Sequence, residues 1–131
     1  MIKFTLPILE QELSGNKIIS TKKDMTCYLD ISATAQEVWE REFPNQAKNE
    51  GLFDYIERIK ILAGNKDNKV SMPVIISALK AIYCMIKFEK PMSKDEFLSL
   101  FTFTDMEYFN DLVTRLLTIF EAVYPEERKN F

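Results

Sequence analysis

The stretch 72–88 constrains the fold more than any other part of the chain. On a helical wheel only Ser77, Lys80, Cys84 and Lys87 share a narrow polar strip, and nearly every other position is apolar. A helix that is apolar almost all round must be covered on most of its sides. The run is also too short, and too interrupted by Lys80 and Lys87, to span a bilayer, which needs about 20 predominantly apolar residues. It therefore predicts the central helix of a globule, ended by Pro91, around which the rest of the chain must wrap.

Much of that cover reads as helix. Thr34 and Glu37 stand in the S/T-x-x-E relation that caps a helix start reciprocally, and Pro44 closes the segment, which predicts a first helix over about 34–43. A second is expected over about 52–62, after a polar link at 45–51. Its Leu52, Tyr55, Ile56, Ile59 and Leu62 share one face, while Asp54 and Arg58 are spaced to pair on the surface. Ser93 and Glu96 form another capping box before a short helix. Thr104 and Glu107 form a third, opening a final helix that reaches about Tyr124, before Pro125. Along that helix Phe109, Leu112, Val113, Leu116, Leu117, Ile119, Phe120 and Val123 cover about half the circumference.

The first thirty residues follow a different period. Ile2, Phe4 and Leu6 alternate with polar residues until Pro7, and Met25, Cys27, Leu29 and Ile31 alternate again. Ser14-Gly15-Asn16 is a turn signal, with a further short strand possible at 17–21. The chain of 131 residues is one domain by length. The expected class is mainly α, of the α+β kind: about five helices with a short N-terminal strand pair or small antiparallel sheet. Residues 1–31 form the strand-rich part and 32–131 the helical part of the single domain 1–131.

The residue inventory excludes much chemistry. Histidine is absent, which removes the usual general base and the commonest metal ligand. Cys27 and Cys84 lie far apart, with no C-x-x-C spacing, in apolar surroundings that favour buried free thiols of a reducing compartment. Three glycines cannot supply the phosphate-binding and nucleophile-elbow motifs, none of which occurs. Residues 64–69 are rich in Asn and Asp but lack the carboxylate spacing and closing Glu of a calcium loop. No cofactor, metal or catalytic residue is expected. A formal net charge of −3, with both signs dispersed, argues against nucleic acid, and the central helix is too apolar to lie in a DNA groove. The N-terminus lacks the apolar core of a secretion signal, so an intracellular protein is expected.

What remains is protein–protein contact. Trp39 and Phe43, one turn apart, serve either as core packing for the first helix or as an interface anchor. Phe53 and Ile61 fall off the main apolar face of the second helix, on the far side around Glu57, and form a second stripe that points to a partner or to self-association. Tyr108 and Tyr124 flank the last helix as further candidates. The partner-binding candidates are thus Phe53, Ile61, Glu57, Trp39, Phe43, Tyr108 and Tyr124.

The order Leu29-Asp30-Ile31-Ser32, Ala35-Gln36, Trp39-Glu40, Phe43-Pro44, then Leu52-Phe53-Asp54-Tyr55-Ile56-Glu57-Arg58-Ile59, resembles the tail assembly chaperones of long-tailed, non-contractile phages and prophages of Gram-positive bacteria. The resemblance covers about residues 25–62 best, with a general agreement of layout beyond. It implies a non-enzymatic protein of the host cytoplasm, absent from the mature virion, that binds the tape measure and tail tube proteins during tail assembly. It also implies self-association into a ring or spiral. Family genes often make a longer form by ribosomal frameshifting, and the ending Lys129-Asn130-Phe131 is compatible with a slippery codon set. The alternative from a different class is a small helical regulatory adaptor that binds a host or phage protein. A third class, an enzyme using carboxylates alone, requires acids converging in a pocket.

Overall fold

The computed structural model describes residues 1–63 and 71–123. The turn expected at 64–69 and the candidate Tyr124 lie outside them. The described chain runs β1 (Ile2–Ser14), β2 (Lys17–Leu29), α1 (Ala33–Glu42), α2 (Pro44–Ala47), α3 (Leu52–Ala63), α4 (Met72–Met85), α5 (Lys94–Leu98) and α6 (Met106–Val123). Helix takes 54% of the described residues and a single hairpin supplies the strands, so the class is mixed α+β, as expected.

The hairpin is far longer than the short strands expected. Its strands have 13 residues each and pair from Ile2–Leu29 to Ser14–Lys17, a ribbon about 40 Å long at roughly 3.3 Å per residue. Gly15 takes φ 63° while no other described residue has a positive φ, the pattern of a type II′ turn, whose twist matches its strands. Pro7 does not stop β1. Counting back from the closing pair Ser14–Lys17, hydrogen-bonded and non-hydrogen-bonded pairs alternate, and Pro7, opposite Asp24, falls on a non-hydrogen-bonded pair. A proline there has no ladder donor to lose, because its nitrogen points outward. Its outward carbonyl accepts a hydrogen bond from the Tyr108 hydroxyl at 2.8 Å.

Helix starts follow the nearest side-chain oxygen. Ser32, not Thr34, caps α1, accepting from the Thr34 N–H at 3.3 Å. Ser93 caps α5 as its box predicts, accepting from Glu96 N–H at 3.1 Å. At α6, Asp105 accepts from Tyr108 N–H at 3.0 Å and so displaces Thr104, whose hydroxyl instead accepts from Gln11. Pro44 ends α1 and also starts α2, where a proline costs nothing because the first helical N–H has no partner anyway. The link expected at 45–51 thus begins with a helical turn.

α4 is the buried centre, with Ala78 through Met85 enclosed except for half-covered Lys80, and with α1, α3, α5 and α6 packed around it. Cys84, on the wheel strip with Lys80, is a buried free thiol, as its apolar surroundings predict. The helix stops at Met85 rather than Phe88. Residues 86–88 turn extended and join the sheet instead: Ile86 sits opposite Leu29, Asp30 N–H donates to Met85 O at 2.7 Å, and Lys87 N–H donates to Tyr28 O at 2.9 Å. Leu6, Cys27 and Leu29 carry the hairpin stem into the same core. On α6 the buried side chains are Tyr108, Leu112, Leu116, Ile119, Phe120 and Val123, close to the predicted face.

Candidate interaction surfaces

Trp39 is wholly buried. Its indole meets the Tyr55 ring edge-on at 4.6 Å and the Phe43 ring at 5.6 Å, and its N–H donates to Glu50 O at 3.0 Å. Phe43 is buried as well, with the ammonium groups of Lys94 and Lys80 over its ring at 5.2 and 5.9 Å. Lys94 also donates to Glu42 O at 2.8 Å, placing positive charge at the C-terminal end of α1 where the helix dipole favours it. Tyr108 is enclosed against Pro7. These three side chains pack the core; an enclosed ring offers no area to a partner, so they drop out as surface candidates.

On α3 the outer stripe divides. Phe53 is half-buried against the core, Glu57 is half-buried, and Ile61 is 62% exposed. Leu62, expected on the buried face, is exposed at the end of the helix. Arg58 pairs with Glu50 rather than Asp54, its Nε 3.2 Å from the carboxylate, because the link doubles back past the helix and Arg58 lies over the Tyr55 ring. Lys60 bridges to Glu121 at 3.0 Å and ties α3 to α6. The sequence pattern therefore located Ile61 as an exposed apolar side chain and misplaced Leu62, which joins it at the exposed end of the helix.

Two surfaces were missed. The first is the far half of the hairpin, where every residue from Glu10 to Asp24 is exposed. Leu13 and Ile18 stand opposite one another there at 76% and 69% exposure, with Ile19 beside them. The available signal was the apolar pair Leu13 and Ile18, one position beyond the polar Ser14 and Lys17 that flank the Gly15-Asn16 turn. The second surface is a groove where α4 gives way to the extended segment. Adjoining cavities of about 640, 370 and 230 Å³ share Lys87 and Phe88. The Phe88 ring leans on Tyr83 and Phe97, and Tyr83 OH donates to Met92 O at 2.8 Å, which fixes the loop forming one wall. The opposite wall is β2, from Met25 to Tyr28. Predicting this groove required knowing that 86–88 leaves the helix.

The reactive inventory inside these walls is quiet. Burial pushes the Cys27 thiol up to about 11 and Cys84 up to about 12, so both stay protonated near neutral pH and are poor nucleophiles. Among the described residues no three Cys, Asp or Glu side chains converge as a metal site requires. None of the described helices is long and apolar enough to cross a membrane. The arrangement offers shape, apolar area and open strand edges. The chain matches no known family model, no curated protein and no solved structure.

Proposed function

We propose that this protein is a non-enzymatic assembly chaperone for a phage or prophage tail, acting in the host cytoplasm on the tape measure and tail tube proteins and associating with itself. The observation that carries the binding part is the grouping of exposed apolar side chains, Leu13 with Ile18 and Ile61 with Leu62. Apolar residues exposed in groups, rather than singly, mark contact surfaces. The choice of partner rests on the ordered residues from Leu29 to Ile59 that resemble tail assembly chaperones. A tape measure is a long, apolar, helix-rich chain, and a small acidic domain with apolar ends suits keeping it dispersed.

The deciding experiment is co-expression with a tape measure protein. The reading predicts a co-purifying complex and a larger soluble fraction of the long chain. Unchanged solubility with no complex would overturn it. Ile61→Asp, together with Leu62→Asp, should weaken that complex several-fold while leaving the melting temperature within a few degrees, since exposed positions carry little folding energy.

A further inference from the structure

We propose that the far end of the hairpin is an arm that seats in the Phe88 groove of a second copy of this chain and adds a strand to the open edge of β2. In an antiparallel ribbon closed at Ser14–Lys17, the even-numbered residues of β2 and the odd-numbered residues of β1 turn their N–H and C=O groups outward. Tyr28 is one of them, and its carbonyl is taken by Lys87 N–H. Thr26 and Asp24 come next, and among the described residues no backbone group bonds to theirs. The 370 Å³ cavity is lined by β2 from Met25 to Tyr28, so the open edge faces the groove at Thr26, with Asp24 just beyond it. An open edge with an apolar wall is the arrangement that takes up an extended strand, backbone bonds giving affinity and pockets taking alternate side chains.

The chain itself carries a fitting strand. On the arm, Gln11 and Leu13 of β1 and Ile18 and Ser20 of β2 have outward backbone groups, and Leu13 and Ile18 supply apolar side chains for a wall of Met25, Phe88 and Met92. Glu12 and Lys17 on the arm match a groove rim of Lys87, Lys90 and Glu89, with opposite charges available on both sides. The arm is barred from its own groove. Leu13 lies on the same paired ribbon as Thr5, the partner of Thr26, and about 26 Å further along it at roughly 3.3 Å per residue. The occupant therefore comes from another molecule. Because arm and groove are different surfaces, the contact is head-to-tail and closes into a ring or extends as a spiral. This inference rests on the self-association in the proposed function, but its tests read mass alone, so it can fail while binding to tail proteins stands.

Sedimentation equilibrium from micromolar to near-millimolar protein tests it on three forms. Wild type should exceed the 15.3 kDa of one chain as concentration rises. Leu13→Asp with Ile18→Asp removes the arm's apolar pair. Thr26→Pro removes an outward N–H at the groove without touching the hairpin ladder, and Met92→Glu replaces it should that proline disturb the stem. Each variant alone should stay at one chain's mass with native circular dichroism. An equimolar mixture of arm and groove variants should form a one-to-one dimer, because one sound arm then meets one sound groove. A wild type that stays monomeric, an arm variant that still associates, or a mixture that remains monomeric would each overturn the proposal.

Discussion

Trp39 shows how much a single side chain can decide. The sequence put it on a helix face one turn before Phe43, which favoured core packing but left an interface anchor open. The feature that resolves it is the Glu50 carbonyl, reached by the indole N–H across a link whose path the residues alone do not reveal. Trp39→Ala should cost about 3–5 kcal/mol of stability, measured by urea unfolding, since a large buried ring leaves both a cavity and an unpaired carbonyl. The thiols give a pH signature. Both have folded pKa values raised above the ordinary thiol value by burial, so their contribution is complete below about pH 9 and is lost as pH rises through about 11 and 12. The raised Tyr108 hydroxyl acts in the same direction. Unfolding midpoints should therefore fall in alkali, and Cys84→Ala should show a shallower fall above pH 9 than wild type.

Among the elements, the hairpin and α6 share the apolar core at the stem and are also joined by a set of polar contacts. Asp111 holds Lys22 and Arg115, Arg115 reaches Asp24 at 3.0 Å and Thr5 at 2.8 Å, and Tyr108 donates to Pro7. Lys22 and Arg115 keep the Asp111 carboxyl below its ordinary pKa. That contribution is present above about pH 4 and disappears as acid protonates it. Arg115→Ala should cost under about 1 kcal/mol, because the pairs are half open to solvent, and should speed amide exchange in the stem while leaving α4 protected. Tyr108→Phe should cost about 1–3 kcal/mol, the larger end reflecting an orphaned buried carbonyl. These joints were invisible in sequence. Alternation found the strands at Ile2–Leu6 and Met25–Ile31 and a further short one possible at 17–21, but the residues from Glu10 to Asp24 are all exposed, so no buried face marks them as one continuous ribbon. Likewise Met72–Met85 was readable as the central helix, whereas its stop at Met85 depends on pairing with Leu29, more than fifty positions earlier.

Across the whole molecule, burial is concentrated in one core while the hairpin extends beyond it. Deleting Gln11–Ser14 together with Lys17–Ser20 brings Glu10 and Thr21, already a hydrogen-bonded pair, up to the Gly15-Asn16 turn in the same parity. The shortened chain should melt within a few degrees of wild type, as a single calorimetric transition, because the deleted residues are all exposed. A ribbon this long also carries a hazard: bare strand edges template runaway growth into fibrils. Pro7 answers it on one side. Having no N–H, and with its carbonyl occupied by Tyr108, it interrupts the outer edge of β1 halfway along, so an incoming strand cannot zip the length of that edge. Pro7 thereby confines pairing on that edge to the stretches either side of it, and Pro7→Val should raise thioflavin fluorescence on ageing above that of wild type.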